Sequence, residues 1–214
     1  MAAEEPGTII VWTSDERTKA AFEAYTLAVG KVAHAWNYLH ERLGALFVAV
    51  SGVDRGIALA IWYSTPSDRT ERVMLAAAIA ARKEWPFPTA PEELKWLMDR
   101  AQKLAFFRDN AVHAPASLYI GADVEMGASF FNGHPRAKNL KGKRLIEEFE
   151  WIEKYDETLS RFAMQVTTSL SFAERYPWPD RPVLPNRGQK NIPLSPPRPL
   201  RTKSRPRRRR SSPA

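Results

Sequence analysis

The apolar positions in the first quarter of the chain recur in steps of three and four. Phe22, Tyr25, Val29, Val32, Trp36, Leu39, Leu43, Leu46, Phe47 and Val50 form one stripe. That stripe predicts a long amphipathic helix with a single face toward a core. Thr13 and Glu16 have capping-box spacing, which makes Thr13 the expected N-cap, and Ser51 followed by Gly52 is the expected end. Gly30 and Gly44 lie inside this helix and mark either close approach of another helix or a mild bend. A short helical piece is expected over 57–63. Thr65, Pro66, Ser67 and Asp68 open a further helix running to about Lys83, whose row of alanines predicts tight packing against a neighbour. Pro86 and Pro88 stop it. Thr89 and Glu92 repeat the capping-box spacing ahead of a helix from about Pro91 to His113 with Leu94, Leu97, Met98, Ala101, Leu104 and Ala105 on its apolar side. Pro115 disfavours helical geometry at Ala114, so that helix should end near His113.

The period is lost over 116–140. Residues 117–121 and 128–131 have β character with glycines between them, which predicts a small hairpin or an ordered loop. A last long helix follows from 142 to about 172, with Leu145, Ile146, Phe149, Ile152, Tyr155, Leu159, Phe162, Val166 and Leu170 on one side. Four long helical segments with short connections predict an all-α fold, an antiparallel four-helix-bundle-like domain carrying the hairpin or loop as an insertion. The sequence contains no internal repeat and no glycine-rich phosphate loop.

Composition narrows the class. The chain has 214 residues, 44% hydrophobic and none of them cysteine. That length supports one sizeable core. The absence of cysteine excludes a disulfide scaffold, a thiolate metal site and a cysteine nucleophile. The first residues are acidic and lack the apolar run of a signal peptide. The longest apolar stretch, 43–63, is interrupted by Asp54 and Arg55, so no membrane span is expected. A cytoplasmic protein is the expectation.

The net charge of +8 is unevenly spread. Residues 177–214 hold eleven basic side chains, one acidic one and 10 of the 17 prolines, which leaves 1–176 at −2. Such a proline- and arginine-rich segment cannot bury enough surface to offset its ordering entropy, and 177–214 is expected to be a disordered tail. The expected organisation is a flexible N-terminus over 1–13, a helical domain over 14–176 and this tail. Arg205, Arg207, Arg208, Arg209 and Arg210 are the candidate nucleic-acid-binding residues, acting through salt-sensitive attraction to phosphates.

Of the four histidines, His34 and His40 lie six apart on one helix, too far round it to share a metal. No His-Glu-x-x-His pattern occurs, so neither a metal site nor a cofactor is expected. His134 sits in a Gly-His-Pro turn. The aromatic residues Trp85, Phe87, Trp96, Phe106 and Phe107 are read as core rather than as a base-stacking surface, and Glu147, Glu148, Glu150 and Glu153 as a solvated face. His113 stands apart because of its neighbours. Arg108, Asp109, Asn110 and His113 crowd the end of one helix. Asp109 and His113 are one turn apart, about 40° round the axis from each other. Asp109 or Asn110 can therefore orient the imidazole, leaving its other nitrogen as a base, while the Arg108 fork reaches a phosphate. A base, an orienter and a fixed cation suit metal-free cleavage at a ribose 2′-hydroxyl. The same residues also suit a structural role, with Arg108 paired to Glu71 or Asp99 and His113 as a C-terminal cap.

Arg108 and His113, enclosing four residues at the end of a helix, resemble the Arg-x4–6-His signature of the HEPN superfamily. The match covers 108–113 as motif and roughly 14–172 as architecture. It departs from the family in one place, with Asp109 rather than asparagine directly after the arginine. The resemblance implies a helical bundle that commonly dimerises, with Arg108 as phosphate clamp, Asp109 or Asn110 as orienter and His113 as general base or acid. It further implies a metal-independent ribonuclease of toxin or defence type, with RNA as substrate and an antitoxin or other regulatory protein as partner. The alternative is a non-catalytic helical module that binds protein or nucleotide, with the basic tail as its nucleic-acid anchor.

Overall fold

The computed structural model describes residues 15–120, 123–129 and 133–187. These form six helices and one two-stranded antiparallel sheet. Helix α1 (Glu16–Ser51) follows the predicted stripe, and Gly52 ends it in the left-handed conformation at φ 65°, where glycine carries no Cβ penalty. Its N-cap is Asp15, whose carboxylate accepts from the Arg17 amide at 3.2 Å; Thr13 lies outside the described residues. Asp54 caps α2 (Arg55–Ser64) and Ser67 caps α3 (Asp68–Ala81). Of the alanines of α3 only Ala78 packs against the core as expected. Leu75 and Ile79 are its buried apolar residues, while Ala76, Ala77, Ala80 and Ala81 face solvent.

Helix α4 (Ala90–His113) has Pro91 in its first turn, but the Thr89 side chain makes no capping bond, so the second capping box does not form. Ala114 is extended at its end, as Pro115 requires. The insertion is a hairpin, β1 (Ala116–Ile120) paired with β2 (Val124–Ala128). The second strand precedes the expected 128–131, because Gly127 has a use within it. The Tyr119 ring lies over Gly127, where a Cβ would meet it at 2.5 Å, and the Tyr119 hydroxyl donates to the Ala128 carbonyl at 2.5 Å. Phe130 and Phe131 lie outside the described residues. A short helix α5 (Pro135–Leu140) follows, not anticipated from the pattern, and α6 (Leu145–Ser171) begins three residues after Gly142, which turns at φ 75°.

Helix α1 is the centre of the packing, and α6, α3, α2 and α4 all rest against it. Leu39, Leu43 and Leu46 of α1, Leu94, Leu97 and Leu104 of α4, and Ile152 and Leu159 of α6 are fully buried. Each such side chain contributes about 1.5–3 kcal/mol relative to exposure. Gly44 lets α2 approach: a Cβ there would lie 3.0 Å from the Trp62 indole nitrogen. No described helix is long and apolar enough to cross a membrane.

The expected disordered tail has to be shortened. Residues 177–187 form neither helix nor strand and lie against α4 and α6. Pro177 accepts from Ser169 at 2.7 Å, Trp178 stacks near Phe87, Arg181 forms a fork on Glu93 at 2.8 and 2.9 Å, and Pro185 accepts from the Trp151 indole at 3.0 Å. Arg187 closes this strap by pairing with Glu148 and lying over the rings of Phe107 and Trp151. Low apolar content had suggested too little burial. Two arginines and one tryptophan docked on body aromatics supply it instead.

Candidate functional site

The end of α4 sits between two environments. Toward α1 and α3 lies a cleft of about 570 Å³, lined by Trp36, His40, Asp68, Glu71, Arg108 and Val112 among others. Away from it the last turn of α4 faces solvent and the start of α5.

Arg108 points into the cleft. One of its terminal nitrogens pairs with Asp68 and the other contacts Asp109 at 3.1 Å, while its guanidinium carbon lies 4.6 Å from the Trp36 ring centre. Asp68 also accepts from the Trp36 indole at 3.1 Å and lies 3.6 Å from Arg72. Burial opposes the Asp68 charge, but Arg72 and Arg108 outweigh it and its pKa falls. Neither Glu71 nor Asp99, the partners suggested by the sequence, pairs with Arg108. Asp68 takes that place because it starts α3 opposite Trp36.

Behind the cleft, His40 joins α1 to α3. Its Nδ1 is 2.8 Å from Glu71 and its Nε2 3.1 Å from Arg72. A guanidinium only donates, so Nε2 accepts; the proton then sits on Nδ1 and is donated to Glu71. Burial and the Arg72 charge hold the His40 pKa down at about 4. Both ring nitrogens are committed, so this histidine is a neutral connector and not an available base. Glu71 is pushed up by burial and by the neighbouring Asp68. Among the described residues no three His, Asp or Glu side chains converge as a metal site.

The four residues of the predicted motif separate. Asp109 lies between two cations, holding Arg108 on one oxygen and Arg136 of α5 on the other, each at 3.1 Å. Asn110 is buried and accepts from Asn139 at 3.1 Å, which ties α4 to α5. His113 is exposed at the helix end, and among the described residues it makes no hydrogen bond or ion pair. The expected orientation of His113 by Asp109 or Asn110 is therefore not made among the described residues, because both side chains are already engaged. Arg205, Arg207, Arg208, Arg209 and Arg210 lie outside the described residues.

A buried group adjoins the site from below. Asp156 of α6 is fully buried, and neither oxygen has a hydrogen-bond partner among the described residues; Ser160 and Arg108 Nε are also buried and unpartnered. Burial pushes Asp156 up to about 8, against the pull of Arg108. The sequence reading missed Trp36, Asp68, Arg136 and Asp156. Two signals were available: Trp36 and His40 one turn apart on one helix, and Asp68, Glu71 and Arg72 at i, i+3 and i+4 on another.

Comparison with protein-family models, with curated proteins and with solved structures finds no match to this chain.

Proposed function

We propose that this chain is an HEPN-like four-helix bundle that acts on RNA in the cytoplasm as a metal-independent endoribonuclease of toxin or defence type, working as a homodimer under the control of an antitoxin or other regulatory protein. One observation carries the reading: Arg108, Asp109 and Arg136 are linked side by side at the last two turns of α4, the helix that ends at His113, which is solvent-exposed and makes no hydrogen bond or ion pair among the described residues. The cations would hold a phosphodiester and His113 would take the proton of the ribose 2′-hydroxyl. The 2′-oxygen then attacks phosphorus, the P–O5′ bond breaks as the 5′-oxygen takes a proton from water, and a 2′,3′-cyclic phosphate remains. Arg205, Arg207, Arg208, Arg209 and Arg210 would raise the local concentration of RNA.

The test is cleavage of a mixed RNA in EDTA, wild type beside His113→Ala. The reading expects cyclic-phosphate ends from the wild type and loss of cleavage in the variant. An exposed side chain without partners contributes at most about 0.5 kcal/mol to stability, so the variant should melt as the wild type does. Cleavage that survives the substitution, or that EDTA abolishes, overturns it. A second reading, a non-catalytic helical module binding protein or nucleotide, is favoured by the pairing of both Arg108 terminal nitrogens with carboxylates. It expects no cleavage by either protein.

A further inference from the structure

A glycine inside a helix costs up to about 1 kcal/mol relative to alanine, so its presence calls for a reason. Gly44 has one in Trp62. Gly30, near the middle of α1, has none among the described residues: a Cβ there would meet nothing within 4 Å. It is exposed and lies on the floor of an open groove of about 820 Å³ along α1, bordered by Glu153 and Glu157 of α6. The groove has an apolar rim, with Phe22, Leu27 and Tyr38 44%, 63% and 43% exposed. An open glycine flanked by exposed large apolar side chains suits the close approach of another backbone.

We infer that the outer face of α1 docks the α1 of a second copy, antiparallel, with the two-fold axis passing by Gly30. Charge decides the occupant and the direction. Lys19 and Glu41 are each eleven residues from Gly30, on opposite sides, and both are exposed. At 1.5 Å per residue a two-fold at Gly30 therefore sets Lys19 of each copy opposite Glu41 of the other, about 16 Å from the axis. The same operation sets Glu23 opposite Asn37 and Thr26 opposite His34, and no like charges meet. A parallel pairing would oppose Lys19 to Lys19, Glu23 to Glu23 and Glu41 to Glu41. A shallow crossing of about 20° keeps the outer pairs within side-chain reach.

The arrangement also bears on the cleft. Asn37 and Glu41 line the cleft that holds Arg108, so each copy brings a Lys19 to the mouth of the other's cleft. The association itself does not depend on the ribonuclease reading, and mass and cleavage are separate readouts.

The experiment is the solution mass of the full chain, by sedimentation over a wide concentration range. The expected result is a dimer for the wild type. Gly30→Leu should halve the mass and keep the helical circular dichroism, because leucine favours helix and its Cβ meets nothing within 4 Å among the described residues. Lys19→Glu should weaken association about tenfold through loss of two symmetry-related pairs, and Lys19→Glu with Glu41→Lys should restore it. A wild type that stays monomeric overturns the inference, including the outcome in which Gly30→Leu lowers its melting temperature because another segment of the same chain covers this face. So does a dimer indifferent to both Gly30→Leu and the charge exchange.

Discussion

Asp156 and His40 illustrate how two buried titratable groups pull stability in opposite directions. For Asp156 the folded pKa of about 8 lies above the ordinary carboxylate value. The folded state then binds the proton more tightly than the unfolded one, so stability is greatest below about pH 4 and falls as the pH rises to about 8. For His40 the folded pKa of about 4 lies below its ordinary value of 6.5. Its contribution is present above pH 6.5 and is lost as the pH falls toward 4. Between pH 7 and 8 only Asp156 of the two still has a slope. Asp156→Asn should therefore flatten that slope and stabilise the protein above pH 8 by on the order of a few kcal/mol. Denaturant unfolding of both proteins at pH 5, 7 and 9 reads this directly, and parallel curves would show that Asp156 finds a partner for its charge. Arg108 is a cation whose charge favours that ionisation, and its Nε has no hydrogen-bond partner among the described residues.

At the level of elements, the strap over 177–187 is the connection that the chain pattern concealed. It adds no helix and no strand, yet it covers Trp151, Phe107 and Phe87 and supplies Arg187 to Glu148, a carboxylate only 8% exposed. A chain ending at 187 should melt as the full chain does. A chain ending at 176 should lose roughly 2–4 kcal/mol, from uncovered aromatic area and from a nearly buried Glu148 left with Lys143 alone. Equal melting temperatures for the two truncations would mean that the strap rests on the body without stabilising it.

The same contrast explains what was legible. Helical periodicity located α1, α3, α4 and α6, because burial of one face is written every three or four residues. The strap, the short α5 and the start of β2 carry no such period. Tyr119 fixes the strand by lying on Gly127 across the hairpin, a cross-strand contact that a periodicity of apolar positions does not encode. At the site, the sequence placed Arg108, Asp109, Asn110 and His113 on one helix end, which is where they are. It assigned them to one another, whereas Asp68, Arg136 and Asn139 claim three of the four through contacts 27 to 40 residues apart.

For the molecule as a whole, charge divides the chain at the end of the strap. The full chain carries +8, and nine basic residues with no acidic one follow Arg187, which leaves residues 1–187 at −1. Half of the 14 arginines inside that body face carboxylates: Arg17, Arg72, Arg108, Arg136, Arg144, Arg181 and Arg187. Non-specific attraction to RNA must then come mainly from 188–214, and it should be strongly salt-dependent. On a single strand, nine phosphate contacts would give a slope of log affinity against log salt of up to about −6, and removing 188–214 should bring the slope close to −1 or −2. Chemistry at the end of α4 should respond differently. If His113 is the base, the chain ending at 187 keeps its single-turnover rate on saturating RNA and loses apparent affinity, because the reacting groups are all retained. Fluorescence anisotropy across a salt series, beside cleavage rates in EDTA, separates the two effects. A truncated chain that binds as tightly as the full one would place the RNA surface on the body. A saturated rate that falls with the tail would put residues beyond Arg187 among the groups that act on the bond.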